Sequence, residues 1–369
     1  MKVCFVVGNL GRGGAEKQLV FMLRALKSAE IKTRVLCLTS GEPYEAEIRA
    51  LGIEVKLVSN SPNRLIRLWR IIENLRQEPA DLVQSSHFYT NIYAALAGRC
   101  LSIPSIGAIR NNLTSEIEIH NYLGKFQVSL PHFLIANSAL AFDNAVKFGI
   151  SPDKIEFVRN AIEIVESDER RQYEISKPAV TLLFVGRLSP QKRVDRFIRL
   201  AKALIEKFPA LPLRFQIVGD GILREQLEKQ AKDALLGKIE FLGMRTRMNQ
   251  IYRQADMLVL TSDYEGTPNV VLEAMSNRLP VIATNVGGTA EIINEKCGFL
   301  TAPGDEQSLI KAASSLIDNA ELRRNMGLEG FRYVKNNHSL DNLKNHLISI
   351  YLRLILPAES KKLFRHNLA

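Results

Sequence analysis

Short runs of β-branched and aliphatic residues alternate along the chain with stretches whose apolar positions recur every three to four residues. In the first half the runs are Lys2–Val7, Thr33–Leu38, Glu54–Val58, Ala80–Gln84, Ser105–Ile109 and Phe133–Ala136, with a further short one at Ile155–Val158. Between the first two, Ala15–Lys27 puts Leu19, Met22, Leu23 and Leu26 on one helical face. Strands separated by amphipathic helices are joined by crossovers and lie parallel, which predicts a doubly wound α/β layer. Glu163–Pro178 interrupts the rhythm: it is charged, poor in large apolar residues and ends in proline, a linker composition. Alternation restarts at Val180–Val185, Leu213–Val218, Lys238–Phe241, Met257–Leu260 and Val281–Ala283. From Asp305 to about Leu356 the pattern predicts two or three helices, and the polar, basic stretch Ser360–Ala369 is expected to fray.

The fold class expected is α/β, with two Rossmann-like doubly wound domains facing across a cleft. Their expected limits are 1–165 for the N-terminal domain and 166–340 for the second, followed by a C-terminal helix and tail over 341–369. A length of 369 residues fits this division, because domains run to roughly 150 residues. In open parallel sheets ligands sit beyond the carboxyl ends of the strands, so motifs that directly follow a strand carry most information.

Composition narrows the classes. With 46% apolar and 24% charged residues, disorder, collagen and coiled coil are excluded as the main architecture. No apolar run reaches the roughly 18 residues that span a bilayer, and the opening MKVCFVVGNLGRGG reads as a first strand, not as a signal peptide. Cys4, Cys37, Cys100 and Cys297 have neither zinc-ligand nor disulfide-framework spacing, and Cys4 and Cys37 read as small core residues. Lys and Arg outnumber Asp and Glu by 49 to 39, a net charge of +10. That favours phosphate-rich partners. The absence of zinc-finger spacing, an RNP-type motif or an aromatic-rich basic run sets nucleic acid aside. A nucleotide ligand and an anionic membrane surface both remain compatible with the charge.

Four motifs follow strands. Gly8-Asn-Leu-Gly11-Arg-Gly13-Gly14-Ala-Glu16 lets the backbone approach a ligand and opens a helix whose N–H groups face an anion; its spacing departs from GxGxxG, and it also reads as a plain tight turn. Val185-Gly186-Arg187-Leu-Ser-Pro-Gln-Lys192-Arg193 puts Arg187 and Lys192 across a turn at the mouth of a helix, which suits a diphosphate, with Arg193 expected to face solvent. Asp263-Tyr-Glu265-Gly-Thr-Pro-Asn269-Val-Val-Leu-Glu273 predicts a helix beginning near Pro268, with Glu265 in the loop before it and Glu273 on its second turn. Carboxylates there accept hydroxyl hydrogens, and the amides of Thr267, Asn269 and Val270 donate to sugar or phosphate oxygens. The fourth, Asn285-Val-Gly287-Gly288-Thr-Ala-Glu291, reads equally as a structural turn or a ligand contact.

Taken in order, these motifs resemble family 4, also called group 1, of the retaining glycosyltransferases with the two-domain GT-B fold. The resemblance spans most of the chain and is strongest from Val180 to Thr301, in VGRLSPQKRVD, FQIVGDGILREQLE, IEFLG, DMLVLTSDYEGTPNVVLEAM, LPVIATNVGGTAEII and CGFL; GRGGAEKQL, NSALAFDNAVKFGI and KIEFVRNAIE are looser matches. It implies that Arg187 and Lys192 hold the donor diphosphate, that Glu265 lies near the donor sugar and that Glu273 meets the ribose. It further implies that Gly266, Thr267, Pro268 and Asn269 face sugar hydroxyls, that Gly13 and Gly14 close over phosphate and acceptor, and that Gly219, Asp220 and Met244 fall near the base. His87, after a strand, resembles a substrate-facing histidine that orients a hydroxyl or shuttles a proton; it also reads as a plain strand-end residue. Arg110 stands with Asn111 and Asn112 where many relatives carry a histidine, and is a candidate for an acceptor phosphate. Asn160-Ala161 replaces the more usual Asn-Gly.

The function this implies is transfer of a hexose or N-acetylhexosamine from a nucleotide diphosphate sugar, UDP-linked before GDP-linked, to a glycan acceptor in cell-surface polysaccharide assembly. No metal or other cofactor is expected, since two cations and helix termini can stabilise the leaving diphosphate. Arg64, Arg67 and Arg70 recur beside Leu65, Ile66, Leu68 and Trp69. Such a helix either lies on an anionic membrane or is a solvated face over the core. The first reading makes the acceptor lipid-linked and the enzyme cytoplasmic and peripheral. Transfer to a soluble acceptor, a GT-B nucleotide-sugar epimerase and a non-catalytic nucleotide-binding scaffold are the alternatives. An oxidoreductase lacks its fingerprint.

Overall fold

The computed structural model describes residues 1–110, 113–164, 179–235 and 238–356. Most of the expected linker and the whole of the expected frayed tail lie outside these, as do Asn111 and Asn112. The chain forms two compact units: Met1–Ala161 together with the chain from Leu340 onward, and Ile162–Ser339.

The first unit holds a seven-stranded sheet in the order β3-β2-β1-β4-β5-β6-β7. Its strands are β1 (Lys2–Val7), β2 (Lys32–Cys37), β3 (Glu54–Leu57), β4 (Leu82–Ser85), β5 (Ser105–Ile109), β6 (Phe133–Ala136) and β7 (Ile155–Phe157), all paired in parallel. The crossovers are α1 (Gly14–Ser28), α2 (Pro43–Ala50), α3 (Arg64–Gln77), α4 (Asn91–Leu101), α5 (Leu113–Ser129) and α6 (Ala139–Lys147). Helices on both faces bury β1 from Val3 to Val7, which is why it reads as a continuous apolar run and not as an alternation. Ile71 and Leu75 of α3 and Ala94 and Ala97 of α4 pack with Cys4, Val6 and Leu36 on one side of the sheet.

The second unit holds six parallel strands in the order β10-β9-β8-β11-β12-β13. They are β8 (Val180–Val185), β9 (Leu213–Val218), β10 (Ile239–Gly243), β11 (Met257–Leu260), β12 (Val281–Thr284) and β13 (Gly298–Thr301). Its helices are α7 (Val194–Lys207), α8 (Arg224–Leu235), α9 (Met248–Gln254), α10 (Asn269–Ser276), α11 (Thr289–Ile292), α12 (Glu306–Asp318) and α13 (Ala320–Asn337). Phe197 of α7 packs against Phe184 and Phe215 of neighbouring strands, with ring centroids 5.8 and 6.2 Å apart. Strand β13 was not expected from sequence. It is four residues long and begins with Gly298, whose missing β-carbon would lie 2.2 Å from the carbonyl oxygen of Val281.

The last helix, α14 (Leu340–Ile355), belongs to the first unit, where it packs on α1. Leu343, Leu347, Ile350 and Tyr351 are buried there. Tyr351 donates to Gln84 Oε1 of β4 at 2.5 Å. His346 meets Glu156 of β7 at 2.5 Å, and Arg353 pairs with the same carboxylate while lying over the Phe133 ring. The structural division therefore places the helix with the N-terminal residues, where sequence alone set it apart as an appendix. Among the described residues no helix is long and apolar enough to cross a membrane.

Candidate functional site

In the second unit β8 and β11 are neighbours although two strands separate them in sequence, so the winding reverses between them. Such a reversal opens a crevice at the strands' carboxyl ends. The loops that leave β8 and β11 are the two motifs carrying Arg187, Lys192 and Glu265.

Pro190–Lys192 forms one 3₁₀ turn, which delivers Lys192 Nζ to Glu265 Oε1 at 2.5 Å; the side chains are 16% and 8% exposed. Ser262 Oγ donates to the same oxygen at 2.6 Å. The second carboxylate oxygen, Oε2, has no hydrogen-bond partner among the described residues. Arg187 is exposed and makes no ion pair among the described residues.

Arg193, expected to face solvent, instead knits the two loops together. Its φ of +47° turns the chain sharply after Lys192, and its guanidinium bridges Asp195 at 3.0 Å and Asp263 at 3.2 Å. These two carboxylates hold Arg193 above its ordinary pKa, the Asp195 hydrogen bond contributing most. Arg196 also pairs with Asp263 at 2.6 Å and donates to Thr261 O at 3.1 Å. Thr261 Oγ1 in turn donates to the carbonyls of Lys192 and Arg193.

The loop after β12 is a buttress. Gly288 N donates to Gly266 O at 2.9 Å, and Gly287, with φ +55°, presses on the backbone of Glu265. The chain then enters α10 at Asn269, one residue after Pro268. Glu273, on the second turn of α10, is 9% exposed and accepts a 2.8 Å hydrogen bond from Tyr252 of α9, which is fully buried. Burial and the adjacent carboxylate push the Tyr252 phenol well above its ordinary value, so it stays a donor.

Gly219 and Asp220 follow β9, and Met244 follows β10, at the same end of the sheet. Gly219 has φ +136°, and a β-carbon there would lie 1.9 Å from Gly186 O, so the backbones of these two loops touch. Asp220 O accepts from Leu188 N at 2.9 Å, and its carboxylate meets Gly221 N and Arg224. Met244 is 51% exposed.

In the first unit the winding reverses between β1 and β4. Here His87 fastens three elements: Gly8 N donates to Nδ1 at 3.2 Å, Ser86 Oγ lies 3.1 Å from the same nitrogen, and Nε2 lies 3.0 Å from Glu16 Oε1 of α1. Both ring nitrogens are thus engaged inside the unit, and with Nδ1 accepting, the imidazole hydrogen sits on Nε2. A β-carbon on Gly13 would lie 2.1 Å from the Glu16 carboxylate, so a larger residue there would have to displace that side chain from His87. Arg110 leaves the end of β5. Its backbone is pinned by the Asn137 side chain at 3.2 Å, while its guanidinium reaches, among the described residues, only the sulfur of Met22 at 3.7 Å.

The structure therefore joins Lys192 to Glu265 and the Gly266 loop to Gly288, and leaves Arg187 open. Sequence reasoning missed Tyr252, Glu16, Ser262 and the Arg193–Asp263–Arg196 cluster. Glu16, Arg193, Ser262 and Asp263 stand inside the motifs above, but none carries a periodicity that marks it. Among the described residues no group of three or more His, Cys, Asp or Glu is placed to hold a metal ion.

Residues 12–166 match Glycosyltransferase Family 4, and residues 165–332 match Glycosyl transferases group 1. The chain belongs to the group 1 glycosyltransferases of family 4. Among curated glycosyltransferases it is 26% identical over 337 residues to the GalNAc-alpha-(1->4)-GalNAc-alpha-(1->3)-diNAcBac-PP-undecaprenol alpha-1,4-N-acetyl-D-galactosaminyltransferase of Campylobacter jejuni, covering 88% of this chain and 91% of that one. It is 25% identical to the UDP-Gal:alpha-D-GlcNAc-diphosphoundecaprenol alpha-1,3-galactosyltransferase of Escherichia coli, covering 91% and 94%. In fold, this glycosyltransferase superposes on HepE of Anabaena, solved in complex with UDP, with a TM-score of 0.83 at 21% identity over 96% of this chain and 100% of that one. The two parallel-sheet α/β domains are those of the GT-B fold.

Proposed function

We propose that this glycosyltransferase moves a hexose or N-acetylhexosamine from a UDP-sugar to a lipid-linked saccharide during cell-surface polysaccharide assembly, with retention at the anomeric carbon and without a metal ion. The observation that carries the reading is the Lys192–Glu265 pair at the point where the second sheet reverses, with exposed Arg187 on the same loop as Lys192. The named relatives of C. jejuni and E. coli act on undecaprenyl diphosphate-linked sugars, which supports the acceptor class.

As the glycosidic bond breaks, the electron pair leaves with the diphosphate and positive charge gathers on the anomeric carbon. The acceptor hydroxyl attacks that carbon, and its proton ends on the departing diphosphate. Arg187 and Lys192 stabilise the growing negative charge, which is the work a metal does elsewhere. Glu265 keeps Lys192 in place through Oε1 and offers Oε2 to a sugar hydroxyl. Glu273, aimed by Tyr252, takes the ribose. His87 and Glu16 act by positioning: they hold the Gly8–Gly14 loop against the strand ends of the first unit. Arg110 faces the acceptor.

Helix α3 supports a peripheral position on an anionic, cytoplasmic leaflet. Leu65, Ile66 and Trp69 are 75%, 42% and 53% exposed among Arg64, Arg67 and Arg70, and Arg70 stacks on the Trp69 ring at 4.5 Å. A face that merely covered a core would bury those apolar side chains.

Calorimetric titration of UDP and of GDP, with and without EDTA, tests the donor assignment. UDP binding that is indifferent to EDTA and lost in Lys192→Ala is the expected result. Binding of neither nucleotide would overturn it.

A further inference from the structure

Among the described residues Arg110 is a cation without an anion. Its guanidinium offers five N–H donors in a rigid fork. Among the described residues its one side-chain partner is the thioether of Met22, a weak acceptor, and its buried Nε has none. No carboxylate lies within ion-pairing distance among the described residues. The charge of Glu16 acts on Arg110 through space, but that carboxylate is already held by His87. Tyr351, also close enough to act on it, spends its hydroxyl on Gln84. Burial pushes the guanidinium down to about 10, against its ordinary 12.5, with Glu16 and Tyr351 offsetting this only in part. At neutral pH it remains charged.

A half-buried guanidinium whose Nε is shut off from solvent and has no partner among the described residues is costly to a fold, and an arriving anion relieves that cost. Arg110 also leaves the carboxyl end of β5, the edge at which parallel sheets receive ligands. The Asn137 side chain fixes the backbone beneath it, so the fork is presented from a rigid base.

We propose that Arg110 is the receptor for a phosphoryl group on the acceptor, so that the first unit recognises its substrate by charge at the end of β5. This deepens the acceptor assignment above and rests on the donor diphosphate being held separately, by Arg187 and Lys192. Guanidinium and phosphate match in geometry and charge, forming two parallel charge-assisted hydrogen bonds. A lipid diphosphate and a phosphorylated sugar both carry that group.

The test uses the full chain with Lys192→Ala as background, which weakens anion binding at the donor loop. Inorganic pyrophosphate, glucose 6-phosphate and glucuronate are titrated into this protein and into Lys192→Ala/Arg110→Gln. Pyrophosphate or glucose 6-phosphate binding that weakens at least ~10-fold on adding Arg110→Gln is the expected result. Preference for the first points to a lipid diphosphate, and for the second to a phosphosugar. Equal binding with and without Arg110, or binding of glucuronate alone, would overturn the proposal. Thermal melting separates recognition from architecture. Arg110→Met, which removes an unpaired charge at similar volume, is expected to leave the melting temperature unchanged or raise it. A clear fall would make Arg110 a structural residue and refute the assignment. Loss of UDP binding in Lys192→Ala is scored separately, so the donor and acceptor readings fail independently.

Discussion

A β-carbon on Gly287 would lie 1.8 Å from the carbonyl oxygen of Glu265. The residue nearest the proposed donor sugar is thus held from behind by a glycine 22 positions further along, in the loop after β12. Both atoms in conflict belong to backbone or to Cβ, so no side chain can move aside. The φ of +55° adds a left-handed conformation that costs a residue with a β-carbon about 1–2 kcal/mol. Gly287→Ala is therefore expected to lower both the melting temperature and turnover, the latter by at least ~10-fold as Glu265 shifts. Melting at the wild-type temperature with unchanged turnover would show that the loop tolerates displacement.

Lys192→Ala and Glu265→Ala are each expected to reduce transfer by at least ~10²-fold, the scale of a lost electrostatic group in a preorganised site. Because each residue holds the other, the double variant is expected to lose less than the product of the single losses. Steady-state rates of the four proteins check this, and near-wild-type turnover in either single variant contradicts the assignment of that residue.

Tyr252→Phe removes one hydrogen bond to Glu273 and keeps the packing. A hydrogen bond is worth about 0.5–1.5 kcal/mol net. The expected effect is a roughly three- to tenfold rise in donor KM, with kcat unchanged, because Tyr252 acts by aiming a binding group. A fall in kcat at an unaltered KM would place Glu273 in the chemical step instead.

Much of this architecture was legible beforehand. Twelve of the strands fall on the short β-branched and aliphatic runs of the sequence, most of them continuously apolar as a parallel sheet demands. Strand β13 escaped because it is short and opens on a glycine. Lys192 and Glu265 were readable because glycine, proline and charge cluster directly after β8 and β11. Their direct contact was not readable, since 73 residues separate them. Tyr252 looked like any aromatic residue in a helix, and Arg193 like any charge in a first turn. What made them parts of the site was their placement by tertiary packing, on which local periodicity is silent.

Acid should loosen the attachment of α14. Burial alone would raise the Glu156 pKa, but hydrogen bonds from His346 and Arg353 outweigh it and hold the carboxyl below its ordinary 4.5. The folded carboxylate thus keeps its charge to a lower pH than the unfolded one. Its contribution is complete above the unfolded value and disappears as pH falls through the folded one. Wild type is expected to melt above Glu156→Gln near neutrality and to lose that advantage below about pH 4. A melting difference that does not change with pH would show that the ion cluster contributes nothing.

Membrane contact is checked by co-sedimentation with anionic vesicles at low salt. Binding is expected to weaken in Trp69→Ser and with added salt. Wild-type protein that ignores such vesicles would leave α3 an ordinary surface helix.

The return of α14 has a consequence for the order in which the protein takes shape during synthesis. The second unit is one unbroken stretch of chain and is whole once Ser339 has been made. The first unit begins earlier but must wait for Leu340–Ile355 to cover α1 and give the Gln84 amide its tyrosine. On the ribosome, the half made first is therefore finished last, and a chain truncated after Ser339 would carry one completed fold and one with an open seam.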